Sequence, residues 1–178
     1  MEIVERLGEL LRGAGFGSRR AVDLREVNGV VAPADSLTLL ERHEDARLAM
    51  LMRLFTDCHT ITREQAQPAL APIGVDELLH AGLLEVDGPG VRATMRISDF
   101  DGLVVAGDSD RDEAGSCYVV PLTLTSKWLA RFTVRREIET ALDLGTGSGV
   151  QALLAARHAT DVVGVASAST SWSPILRS

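Results

Sequence analysis

The sequence predicts an α+β protein in two parts: a helical N-terminal domain closed by a β-hairpin, then the first part of an α/β domain. Two observations carry that expectation. The apolar residues repeat at helical spacing up to about Ala81, then alternate in twos from Val91 to Ile97. Further on, a run of alternating glycines, Gly145-Thr146-Gly147-Ser148-Gly149, stands between two short apolar stretches, where a strand must turn sharply into a helix.

The elements follow in order. Ile3, Leu7, Leu10 and Leu11 share one helical face, and Gly13 and Gly15 punctuate its end. A second helix is expected from Ser18, a capping residue, to about Val27, with Gly29 beyond it. The stretch from Ala32 to Phe55 suggests two more. Within it Leu48, Leu51, Met52 and Phe55 repeat as one core-facing stripe. A short helix is expected from Val75 to Ala81, ended by Gly82. Leu84 and Val86 then lead into the turn Asp87-Gly88-Pro89-Gly90. After it Val91, Ala93, Met95 and Ile97 alternate with Arg92, Thr94 and Arg96, the pattern of a single half-buried strand. Helices followed by a short helix and a hairpin resemble a winged-helix domain, expected here over residues 1–97. A groove-binding role is disfavoured, because the helix that would enter DNA carries Asp76, Glu77 and His80 and no Lys or Arg. Arg92 and Arg96 are expected on a solvated wing face.

Residues 98–118 turn acidic and glycine-rich and are expected to be a linker, with a short strand at Gly102–Ala106 and a solvated loop from Asp108 to Gly115. Asp108, Asp110, Asp112 and Glu113 have the first spacings of a calcium loop, but lack its glycine at the sixth position and glutamate at the twelfth. No metal is expected.

Composition bounds the partners. Of 178 residues, 46% are hydrophobic and 24% charged, with a net charge of -7, which suits a globular protein and not one held to nucleic acid by non-specific charge. No apolar run approaches the roughly 18 residues of a membrane span, and no signal peptide is visible. Cys58 and Cys117 lie far apart with no CxxC, so reduced thiols and a cytoplasmic location are expected.

The chemistry should sit in the third segment, residues 119–178. Thr140–Leu144 reads as a strand, Gly145–Gly149 as a turn, Val150 to about His158 as a helix, and Asp161–Val165 as a second strand. A P-loop is excluded because Gly149 is followed by Val150, not Lys, and G-x-G-x-G departs from the dinucleotide spacing. The discriminating feature is the acid two residues before the first glycine. Asp143-Leu144-Gly145-Thr146-Gly147-Ser148-Gly149 resembles the first motif of class I S-adenosylmethionine-dependent methyltransferases, in the branch of the release-factor glutamine and small-domain ribosomal RNA guanine methyltransferases. The approach to the motif, from Tyr118 to Thr140 with Pro121, Thr125 and Ser126, is similar to the same branch.

That resemblance implies a Rossmann-like core that binds S-adenosylmethionine through Asp143, Gly145, Thr146, Gly147 and Gly149, and an RNA or protein as methyl acceptor. The chain departs from the pattern in two places. The family's ribose-holding acid falls at Ala166, and its Asn-Pro-Pro motif occurs nowhere in the sequence. No catalytic residue can therefore be carried over. From Ala166 onward the serine-rich tail is expected to be aberrant, a shifted frame or truncation, and the chain by itself inactive. The alternative is a non-catalytic module that binds protein or nucleic acid and keeps a relic loop. Lys127, Arg131, Arg135 and Arg136 form a basic cluster that would serve either reading.

Overall fold

The computed structural model describes residues 2–16, 46–109 and 118–166. The chain is a mixed α/β protein that divides into two compact units, Met1–Val104 and Val105–Ser178. The helix expected over Ser18–Val27, one of the two expected between Ala32 and Phe55, the acidic loop from Asp110 to Gly115 and the tail beyond Ala166 lie outside the described residues.

In the first unit, α1 (Ile3–Gly13) buries Leu7 and Leu11, and Gly15 takes φ 100° just past its end. Helix α2 (Ala46–Leu51) continues as one turn of π-helix, Met52–Thr56, and the expected stripe is fully inward: Leu48, Leu51, Met52 and Phe55 are all buried. Helix α3 (Arg63–Leu70) starts with a reciprocal capping box. Thr62 Oγ1 accepts from Gln65 N at 3.2 Å, and Gln65 Oε1 accepts from Thr62 N at 3.0 Å. Helix α4 (Val75–His80) ends as Gly82 dictates: Gly82 takes φ 71°, its N–H donates to Leu79 O, and Leu83 N–H reaches back to Leu78 O at 2.9 Å. That is the left-handed helix stop for which glycine is favoured.

Strands β1 (Leu84–Asp87) and β2 (Gly90–Ala93) form an antiparallel hairpin around Gly88-Pro89, with Glu85 opposite Arg92. Ile61 joins on the outer side of β2 through two backbone hydrogen bonds with Val91, 2.8 and 3.0 Å, so the local order is Ile61, β2, β1. Gly90 permits this approach, since a Cβ there would lie 2.3 Å from Ile61 O.

Two expectations fail here. The single strand from Val91 to Ile97 is two strands, β2 and β3 (Met95–Phe100), interrupted at Thr94, whose hydroxyl donates to Gly82 O at 2.8 Å. Nor is β2 half-buried: all four of its residues are buried, Arg92 included at 7% exposure. Arg92 is drawn inward by the acids across the hairpin. Its guanidinium donates to Glu85, and its Nε lies 3.9 Å from Asp87 Oδ2, which also accepts from the Thr60 hydroxyl. Residues 98–108 are expected as linker around a short strand at Gly102–Ala106, and a strand is found there. They complete β3 and form β4 (Leu103–Asp108), joined by Asp101 and Gly102, both at positive φ.

The core of the first unit gathers residues from α1, α2, the π turn, α3, α4 and the hairpin into one cluster around Leu54, Phe55, Leu70 and Leu78, none of them measurably exposed.

In the second unit, α5 (Leu124–Phe132) is capped by Thr123, whose Oγ1 accepts from Ser126 N at 3.2 Å. Strands β5 (Ile138–Leu144) and β6 (Ala159–Val165) pair in parallel through the crossover helix α6 (Val150–Ala155), which is one turn shorter than the expected Val150–His158. Helix α6 turns Ala152 and Leu154 inward. The register places Leu142 beside Val163 and Leu144 beside Val165, and all four remain exposed.

Candidate functional site

The five residues picked out from the sequence come together where β5 runs into α6. Gly145, Gly147 and Gly149 take φ of 74°, 52° and 78°, left-handed conformations that a side chain would strain. A Cβ placed on Gly145 or Gly149 would meet nothing within 4 Å, so the space beside the loop backbone is open.

Asp143 stands at the end of β5, half-buried, and its carboxylate turns into the loop. Its Oδ2 accepts from Thr146 Oγ1 at 2.7 Å and from Ala152 N at 3.1 Å. The chain thus supplies its own anion to the first turn of α6, a helix of only six residues. This placement sorts the possible ligands. A phosphate brought to the loop would meet a carboxylate already seated there, and like charges in one small site repel. A ligand carrying an ammonium group would meet an acceptor. Both bonds fall on Oδ2; among the described residues Oδ1 takes none, so it is the oxygen left to accept such a group.

Thr146 is expected from the motif to contact the cofactor. It is 8% exposed, and its polar atoms are engaged inside the loop: N–H to Val165 O at 3.0 Å, hydroxyl to Asp143, carbonyl from Gly149 N–H at 2.8 Å. Gly145 N–H also donates to Val165 O, at 2.8 Å. Among the described residues, the amides of Gly147 and Ser148 are the loop donors with no such partner. Ser148 was not singled out from the sequence. Its signal was its place between two glycines of the loop.

Ala166 directly follows β6, at the end of the strand, and has no side-chain acceptor. Of the basic cluster, Lys127 and Arg131 lie on α5. Arg131 stands 5.5 Å from the centroid of Trp128, which stacks on Phe132 at 5.6 Å, and Arg135 donates to Ala130 O. Asp108 accepts from Val119 N at 2.6 Å, and among the described residues no group of acids, histidines and cysteines is placed to hold a metal. Cys58 is half-buried, and its thiol donates toward Met95 O at 3.6 Å and Phe55 O at 3.8 Å. No helix among the described residues is long and apolar enough to cross a membrane.

Residues 19–94 match the model of a family described as a domain of unknown function, DUF7059. The match lies within the first unit and ends at Thr94, just after the hairpin. No curated protein matches the chain.

Proposed function

We propose that the second unit is the opening of an S-adenosylmethionine-binding methyltransferase core, preceded by a winged-helix-like accessory domain. The observation that carries this reading is Asp143, a carboxylate at the end of the first of two parallel strands. It lies against a loop whose three glycines are all left-handed and open on one side. The donor set fits the cofactor: an acceptor for its ammonium at Asp143 Oδ1, and amides of Gly147 and Ser148 for its carboxylate or ribose oxygens. When bound, the cofactor offers a methyl group on a sulfonium centre to a nucleophilic nitrogen, here one of an RNA or protein. The chain's own contribution is to hold that ligand by its amino-acid end and to keep the loop in shape.

Two further features support a sheet that is part of a larger one. Parallel strands normally have both faces covered and more than one neighbour, whereas here Leu142, Leu144, Val163 and Val165 form an uncovered apolar face. The first unit supports the accessory reading. The succession helix, Ile61, helix, helix and hairpin, with the order Ile61, β2, β1, is what a winged-helix-like domain would have. Among the described residues, three of its cations are paired with acids: Arg92 with Glu85 and Asp87, Arg63 with Asp76 at 2.6 Å, and Arg6 with Glu77.

The test is calorimetry on the purified chain. S-adenosylmethionine should bind and ATP should not. Asp143→Asn keeps an acceptor for Thr146 and Ala152 but removes the charge, and should weaken binding about tenfold, or about 1.4 kcal/mol. Absence of S-adenosylmethionine binding overturns the reading. With radiolabelled cofactor, RNA and lysate, this chain should transfer no methyl group. Ala166 gives the ribose no acceptor and no substrate-holding motif is present, so the in-line positioning that methyl transfer needs is missing.

A further inference from the structure

Position 164 lies opposite Asp143 in the parallel register and is a glycine. Its φ is not in the left-handed region, so turn geometry does not explain it. The space does. A Cβ on Gly164 would lie 3.0 Å from Thr146 Oγ1, 3.3 Å from Thr146 Cβ and 3.4 Å from Thr146 Cγ2. The Thr146 side chain folds back over β6 into the volume that a side chain at 164 would fill, and from there its hydroxyl reaches Asp143 Oδ2. Three contacts then close on one another. Thr146 N–H is tied to Val165 O beside Gly164, the hydroxyl to Asp143, and the same Asp143 oxygen to Ala152 N at the start of α6.

We propose that Thr146 and Gly164 are positioning residues of the loop: the Thr146 hydroxyl latches the Asp143 carboxylate in one rotamer, and Gly164 is the vacancy that lets it do so. The latch commits Oδ2 to the protein and presents Oδ1, together with the Gly147 and Ser148 amides, to the ligand. Thr146 itself does not touch the ligand. The ligand's identity rests on the S-adenosylmethionine reading; the latch does not.

The variants are Thr146→Val, which keeps the shape and removes the hydroxyl, Thr146→Ser, which keeps the hydroxyl, and Gly164→Ala, each in the full chain. Two quantities are measured: hydrogen exchange of the Ala152 amide by NMR, and affinity by calorimetry for S-adenosylmethionine and for 5′-methylthioadenosine, which lacks the amino-acid end. Thr146→Val should speed Ala152 exchange about tenfold and weaken S-adenosylmethionine about fivefold, the scale of one charge-assisted hydrogen bond partly lost. Binding of 5′-methylthioadenosine should stay within about twofold, because the latch acts only through the carboxylate that meets the ammonium. Thr146→Ser should restore both quantities, and Gly164→Ala should reproduce Thr146→Val. Adding Gly164→Ala to Thr146→Val should cost little more than either alone, since both open the same contact.

A merely structural threonine would weaken both ligands equally, and that result overturns the proposal. So does unchanged Ala152 exchange in Thr146→Val. Should Gly164→Ala not fold, the valine and serine variants decide alone. If wild type binds neither ligand while Ala152 exchange follows the stated pattern, the cofactor reading fails and the latch stands.

Discussion

The two hairpin-sized sheets at β1–β2 and β5–β6 are similar in extent and opposite in circumstance. The first is antiparallel, closed by a two-residue turn, joined by Ile61 on its outer side and buried along the whole of β2. The second is parallel, covered by α6 on one face only, with Leu144 at the other face 73% exposed. Deep burial and the open glycine loop fall in different regions. Among the described residues, the first unit buries even the guanidinium of Arg92 against its own acids. The second holds the open loop and the carboxylate, and leaves apolar surface bare. Burial per residue is the main source of folding free energy, so the first unit should resist change in proportion to what it buries, and the second should not.

That contrast can be broken at several points. The largest effect is expected for Phe55→Ala, which removes a ring with no measurable exposure from the turn between α2 and Ile61. It should cost about 3–5 kcal/mol in a urea titration of the first unit. Next is Gly90→Ala, whose added Cβ would press on Ile61 O and part the bridge to Val91. A cost of about 2–3 kcal/mol is expected, on the scale of overpacking against backbone. Arg92→Ala comes third, at about 2 kcal/mol by the same titration. The loss is moderated because Glu85 and Asp87 reach water once released, at 46% and 34% side-chain exposure. The smallest effect is expected for Val163→Thr on the bare face of β6, within about 0.5 kcal/mol. A cost above 2 kcal/mol there would mean that the face is covered in solution and that the contrast is misdrawn.

The stripe Leu48, Leu51, Met52 and Phe55, the stop at Gly82, and the strand, loop, helix and strand around Gly145–Gly149 were legible because each rests on local rules: helical period, left-handed glycine, alternating apolar runs. Helix α3 was not, since its polar sequence lacks a strong stripe and Pro68 deprives Glu64 O of its helical donor. Its signal was the Thr62–Gln65 capping box. Arg92 was misplaced for a different reason. Alternation assigns faces within one strand, while its burial was decided by acids across the hairpin and by Ile61. The register Glu85–Arg92 could have been counted outward from the Gly88-Pro89 turn. At the site, sequence located the loop but not the division of labour inside it. The three glycines form the turn expected of them and Asp143 stands at the end of its strand, while the burial of Thr146 and the vacancy at Gly164 follow from the pairing of β5 with β6, a tertiary contact.

The parallel register of β5 and β6 also has a consequence in time. Strands that run the same way cannot pair until the chain between them has doubled back, so Asp143 has no neighbour at Gly164 until residues 145–158 have been made and folded across. The first unit waits for nothing of the kind, because its hairpin closes over two residues and its cluster draws on residues no later than Val104. Domains emerging from the ribosome fold as units, N-terminal first. The first unit is therefore formed while the glycine loop is still being written, and that loop is the last described part of the molecule to acquire its shape.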